Sequence, residues 1–156
     1  MMTIRCEIVT QEKLVFADDV DLVNLPGSEG RMGILPNHTA LLTTLAFGEV
    51  VVRKGGEEEF FAIGGGFVEV QPDKVIVLAD SAERAEEIDV DRAEQARERA
   101  ETMMREGVPE DPERVAQIRA SLMRAQVRLD VGRRRRHRTT MTPGGFPPQQ
   151  QDEDRN

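Results

Sequence analysis

The spacing of apolar residues changes once along this chain, and that change divides it. From Thr3 to Asp80 the apolar positions recur at short period, and beyond Ala82 they recur every third or fourth residue. The first spacing belongs to strands with one buried face and the second to amphipathic helices. Strands first and helices after predict an α+β fold, mainly β, with the two parts segregated rather than interleaved as βαβ units. The division expected is a β sandwich or flattened barrel over residues 1–84, an antiparallel two-helix hairpin over 85–132, and a disordered basic and polar tail over 133–156.

Within the β part, TIRCEIVT alternates at Ile4, Cys6 and Ile8, and VDLVNLPG alternates at Val20, Leu22 and, after a polar break, Leu25. GEVVVRKGGEEEFFAIGG reads as a hairpin turning at Lys54-Gly55-Gly56, since adjacent glycines supply the positive φ angles of a two-residue hairpin loop. FVEVQPDKVIVLAD reads as a second hairpin, with Pro72 setting the first central φ and Asp73 suiting the next position. GRMGILPNHTALL, from Gly30, is a strand-turn-strand corner with no group able to do chemistry. Short strands with a turn every ten residues or so indicate a sandwich or barrel.

Asp89 can cap a first helix, along which Ala93, Ala96, Ala100 and Met103 share a face. Asp111 can cap a second that opens on Pro112, where the missing N–H costs nothing. On that helix Val115, Ile118, Leu122, Ala125 and Leu129 keep a 3-4-3-4 spacing. The first helix presents mostly alanines, and each buried CH2 contributes only about 0.8 kcal/mol. A hairpin packed through alanine is expected to leave the β body at modest cost.

The composition narrows the function. A formal charge of −8 over 156 residues opposes general nucleic-acid binding, which depends on Lys and Arg neutralising phosphates. RRRRHR, from Arg133 to Arg138, is a local exception suited to an acidic protein, an anionic lipid or a helix C-terminus. No apolar run approaches the roughly 18 residues of a membrane span, and the N-terminus lacks the pattern of a signal or transit peptide. Location in the cytosol, or at a membrane through partners, is the expectation.

A catalytic set is not apparent. His38 and His137 are the only histidines and Cys6 the only cysteine, with no HExxH or CxxC spacing for a metal. Cys6 reads as a small buried strand residue. Gly64-Gly65-Gly66 is followed by strand residues rather than by a Lys-Ser/Thr pair and a helix, so a close-packed or bulged strand fits better than a phosphate loop. The exception is a set of arginines. Arg92 and Arg99 lie seven apart on the first helix, and Arg124 and Arg128 lie four apart on the second. Brought together by a hairpin, these guanidinium groups would repel unless acids or a phosphate ligand sat among them. Glu83, Asp89, Glu94 and Glu98 could make an ordinary surface ion-pair network instead.

GILPNHTALL, GGFVEVQPDKVIVLAD and AERAEEIDVDRA together resemble the epsilon subunit of bacterial F-type ATP synthases, over Thr3 to Val131. IDVDRA, from Ile88 to Ala93, is similar to the ATP-binding motif described for epsilon subunits of several bacteria. The resemblance implies a regulatory ATP site at Glu83, Ile88, Asp89, Arg92, Ala93, Arg99, Arg124 and Arg128, with acids facing adenine or ribose donors and arginines facing phosphate oxygens. It implies binding without hydrolysis, no required cofactor, no metal and no catalytic residue. Glu29, Arg31, Met32 and His38, in or beside the Pro26–His38 loop, would meet the ring of c subunits and the shaft.

The implied role is that of a non-catalytic rotor subunit. It would couple the gamma shaft to the membrane c-ring, and its hairpin, folded down or extended toward the catalytic alpha and beta subunits, would regulate ATP hydrolysis. The implied location is peripheral, on the cytoplasmic face of the bacterial cell membrane, with no nucleic-acid partner. A free-standing ATP-binding sensor is the alternative reading, and a basic-tailed adapter for nucleic acid or membrane a third.

Overall fold

The structure, a computed structural model, describes residues 2–107 and 110–140, with side chains as far as Arg134. Eight strands come first: β1 (Ile4–Val9), β2 (Leu14–Val20), β3 (Leu22–Gly27), β4 (Gly30–Ile34), β5 (Leu41–Lys54), β6 (Glu57–Gln71), β7 (Lys74–Ala79) and β8 (Ala82–Arg84). A short 3-10 turn (Ala85–Glu87) leads into helices α1 (Val90–Arg105) and α2 (Pro112–Thr140). The sheet order is β2-β1-β7-β6-β5-β3-β4, with β8 paired to β6. All pairs are antiparallel except β1 with β7.

The sandwich follows from the two long central strands. The second half of β6 pairs with β7 over Gly66–Gln71, and its first half pairs with β8 over Phe61–Ile63. The break falls in the glycine triplet, where Gly65 and Gly66 have φ of +93° and +125°. At Gly64 an added Cβ would lie 2.0 Å from the Ser81 hydroxyl oxygen. The triplet is therefore the bend in a close-packed strand that its lack of phosphate-loop context suggested.

Ile4, Cys6 and Ile8 are fully buried in a core that draws residues from seven strands, among them Val23, Ile34, Val50, Phe61 and Val75. Phe16 meets Phe61 edge to face at 5.4 Å, and the Arg84 guanidinium lies over both rings while bonding Glu59 at 2.7 Å and the Val15 carbonyl at 3.1 Å. Both glycine and proline turns form as the sequence indicates. Gly55 and Gly56 take φ of +58° and +83° between Lys54 and Glu57, and Pro72-Asp73 joins Gln71 to Lys74. One register differs from the expectation: Val23 and Leu25 enter the core, whereas Leu22 stays half-buried. The chain breaks at Asp21 between β2 and β3, which shifts the alternation by one residue and turns the faces over.

Burial pushes the Cys6 thiol up from 9.0 to about 12, with the neighbouring Glu7 carboxylate adding to the effect. The folded chain thus holds this proton where the unfolded chain releases it. Stability present below pH 9.0 should be lost progressively between 9.0 and about 12. Urea midpoints of Cys6→Ala and the parent chain, measured across that range, should converge as pH rises if this is so.

Asp89 caps α1 by accepting from the Arg92 backbone N–H at 3.1 Å. Asp111 does the same for α2, its carboxylate accepting from the Glu113 N–H at 3.0 Å and its carbonyl from the Val115 N–H at 3.2 Å. The hairpin sits against the outer face of the sheet. Ala93 and Leu129, both fully buried, pack with Ala62, Ala85, Ile88, Val90 and Val131. Ile118 and Ala125 are buried along α2, but Met103, counted with the alanine face of α1, is 52% exposed.

The expected tail begins too early. Helix α2 continues to Thr140 with no stop at Gly132. Gly132 is a contact rather than a terminus, since a Cβ there would come 2.9 Å from Val90 and 3.1 Å from Ile88. Arg133 and Arg134 hold this turn through ion pairs to Glu94 at 2.7 Å and Glu49 at 2.9 Å. Residues 141–156, assigned to the tail, lie outside the described residues, as does Val108-Pro109 in the connection between helices. Among the described residues no helix is long and apolar enough to cross a membrane.

Candidate ligand cleft and apolar face

Two cavities adjoin along α2 and share Arg124 and Arg128. One, of about 470 Å³, lies between the β body and α2 and carries charge of both signs, from Glu12, Lys13, Glu83 and Glu87 besides the two arginines. The other, of about 440 Å³, lies between α1 and α2. It is lined by Arg99, Arg114, Arg124 and Arg128, and no carboxylate is among its lining residues.

The arginines differ in what holds them. Arg128 grips Glu83 with Nε at 2.7 Å and Nη2 at 3.3 Å, a forked pair at one-quarter exposure. Arg97 pairs with Glu94, and Arg105 approaches Glu101 at 3.8 Å. Arg99, Arg114 and Arg124 make no ion pair or side-chain hydrogen bond among the described residues. Like charges gathered into one cleft raise each other's energy, by an amount water reduces but does not remove. An anion bound among them would convert that repulsion into attraction, and a phosphate offers the planar oxygen pairs a guanidinium matches.

The residues named from the sequence separate into those that face these cavities and those that do not. Glu83, Arg99, Arg124 and Arg128 line one or both. Ile88 and Ala93 are buried in the helix–sheet packing, at 8% and 0% exposure. Asp89 is engaged as the α1 cap, and Arg92, exposed, lines neither cavity. Arg114, which the sequence reading missed, lines the cleft between α1 and α2 ten residues before Arg124.

Glu29, Arg31, Met32 and His38 lie away from this cleft, around the β3–β4 corner. Glu29 is exposed at the turn, and Met32 packs against the core. Arg31 donates to the Glu49 carbonyl at 3.4 Å, and His38 Nδ1 lies 2.7 Å from the Thr39 carbonyl. A second surface was invisible in the sequence pattern. Phe67 pairs across the sheet with Leu78 on one side and Thr44 on the other, and Leu42 shares the face of Thr44. Leu42, Phe67 and Leu78 are 72%, 53% and 50% exposed, an outward apolar row over three strands of the kind that marks an interaction surface.

A sandwich with an outward apolar face, carrying a capped helical hairpin whose cleft gathers arginines, defines a two-part protein built to bind other molecules. The chain belongs to the delta/epsilon chain family of ATP synthases: residues 3–85 match the family's beta-sandwich domain and residues 86–132 its long alpha-helix domain. It is 50% identical over 137 residues to the ATP synthase epsilon chain of Dehalococcoides mccartyi, covering 87% of this chain and 96% of that one. The epsilon chain of Herpetosiphon aurantiacus is likewise 50% identical over 137 residues, covering 88% and 99%. Among solved structures, a chain of the Euglena gracilis mitochondrial ATP synthase assembly containing OSCP, F1 and c-ring matches with a TM-score of 0.69 at 25% identity, over 82% of this chain and 79% of that one. A chain of the Tetrahymena thermophila mitochondrial ATP synthase central stalk and c-ring shares the fold, with a TM-score of 0.61 at 14% identity over 84% and 97%.

Proposed function

We propose that this chain is a non-catalytic rotor subunit of an ion-translocating F-type ATP synthase, set between the gamma shaft and the c-ring, whose hairpin regulates ATP hydrolysis in response to ATP. Membership of the epsilon family supports the rotor role. The outward row of Leu42, Phe67 and Leu78 offers the shaft an apolar face, and the β3–β4 corner with Glu29, Arg31, Met32 and His38 offers the ring a polar one. Attachment to the cytoplasmic face of the bacterial membrane is through these partners.

The observation that carries the ATP response is the cleft lined by no carboxylate, with three arginines that have no ion pair among the described residues. In this reading the phosphates lie between α1 and α2 against Arg99, Arg124 and Arg128. The nucleoside lies in the adjoining cavity, where Glu83 and Glu87 accept from ribose hydroxyls or the adenine amino group. Asp89, Ile88 and Ala93 act by fixing where α1 starts and how it packs, and Arg92 is the member of the set with the weakest claim to contact. Binding without hydrolysis is expected, because no residue set there orders a magnesium ion or activates water.

Calorimetric titration of the isolated chain with ATP tests the regulatory reading, and millimolar ATP should produce both binding heat and a raised Tm. Silence in both would refute it. Affinity capture from gently solubilised membranes tests the rotor reading, with gamma, c-ring and catalytic subunits expected together.

A further inference from the structure

Glu49 is out of place for a surface strand. Its residue is 6% exposed, its side chain lies on the outer face of β5 opposite Ala62, and Oε2 has no hydrogen-bond partner among the described residues. Ala62 belongs to the apolar patch beneath α2, so Glu49 lies under the end of that helix. Its Oε1 accepts from Arg134 Nη1 at 2.9 Å. The nearby Arg31 reaches only the Glu49 backbone carbonyl. A buried carboxylate whose charge is met from a different structural unit makes the two units depend on each other.

The neighbouring arginines sharpen this. Arg133 pairs with Glu94 of α1, a contact that travels with the hairpin when it moves. Arg134 and Arg128 instead pair with Glu49 and Glu83 of the β body, contacts that must break when it leaves. Arg128 also lines both cavities and its partner Glu83 lines one, so a ligand there would compete with that pair. The Glu49–Arg134 pair lines neither cavity and is independent of it.

We infer that Glu49 and Arg134 form a register latch: docking buries the acid, and only Arg134 lying over it meets the charge that this burial would otherwise leave uncompensated. The asymmetry of the pair is its signature. Losing Arg134 leaves a buried charge without compensation, whereas neutralising Glu49 removes the charge that needed compensating.

The test uses the full-length chain with Ala85→Cys, a site 4% exposed beneath α2, and follows its labelling by a thiol reagent. The native Cys6 stays silent because it is fully buried and its thiol is pushed up to about 12. Arg134→Ala should speed labelling by about tenfold, an effect moderated from that of a fully buried pair because Arg134 is itself largely exposed. Glu49→Gln should change it less than about threefold, and adding Glu49→Gln to Arg134→Ala should restore most of the slow rate. Unchanged labelling in Arg134→Ala overturns the latch. Equal acceleration by the two single variants, or additive acceleration in the double, overturns it as well. Circular dichroism of each variant separates release of the hairpin from unfolding, and a variant that unfolds is replaced by Arg134→Gln.

Discussion

Replacing Arg99 and Arg124 together by alanine should weaken ATP binding by roughly a hundredfold to ten-thousandfold, taking about 1.5–3 kcal/mol for each guanidinium–phosphate hydrogen bond and 1.4 kcal/mol per factor of ten. The same double variant should fold with its stability changed by no more than about 0.5 kcal/mol. Neither side chain has a partner to lose among the described residues, and removing either relieves repulsion in a cleft that holds four arginines. Arg128→Ala should differ in kind, weakening both ATP binding and stability, because it also leaves Glu83 without its forked partner. Calorimetry with ATP and urea denaturation of the three proteins separate these effects. Wild-type-like affinity in the double variant would remove the cleft from the ligand's path.

The ligand's effect on the hairpin is bounded by its concentration. At a hundred times its dissociation constant, ATP stabilises the form that binds it by about 2.7 kcal/mol. Carrying a switch from 1:99 to 99:1 takes about 5.5 kcal/mol of differential affinity. ATP at that level therefore redistributes only a hairpin that is already near balance.

Gly66→Ala should be the most damaging small substitution in the β body, lowering stability by about 4 kcal/mol or more, the range reserved for strained or overpacked sites. An added Cβ would lie 2.1 Å from the Leu78 carbonyl oxygen and 2.9 Å from the Ala79 Cα, both backbone atoms of the paired strand β7. With φ at +125°, the position is also one that an L side chain rarely adopts. At roughly 2–4 °C per kcal/mol for a chain of this size, Tm should fall by about 8–16 °C. Gly55→Ala is the control: its φ of +58° is left-handed, but nothing lies within 4 Å of an added Cβ. It should cost only about 1–2 kcal/mol. Equal losses in the two variants would show that conformation alone, and not the contact with β7, makes Gly66 necessary.

The difference between these glycines shows how far the sequence can be read. The turn at Gly55-Gly56 was legible because a hairpin loop is local, and two glycines between alternating runs specify it without knowledge of the rest. The helix caps at Asp89 and Asp111 were legible for the same reason. The alternation at Leu22 failed because one residue, Asp21, breaks the strand without any glycine or proline to signal it. Gly132 failed in the opposite sense. The hairpin was bounded there because the apolar periodicity is lost, yet Gly132 is the point where α2 approaches Ile88 and Val90 too closely for a side chain.

The arginine set was partly legible. Helical spacing placed Arg124 and Arg128 on one face, and they do line shared cavities. Arg114 was missed because nothing in the local sequence distinguishes it from the other arginines of α2. Its role in the cleft depends on how α1 lies across that face. Glu49 was missed for the same kind of reason, since one acid in a strand reads as a solvent-facing residue until a helix is laid over it.

By itself the sequence determined the β-then-helix order, the glycine and proline turns, the caps and the family, because each rests on residues within a few positions of one another. The tertiary structure alone decided which arginines stand without acids, which carboxylate is buried beneath α2, and which apolar side chains remain outside on β5, β6 and β7. Those are properties of surfaces brought together from distant parts of the chain. Burial and charge compensation there depend on three-dimensional neighbours that no local pattern records.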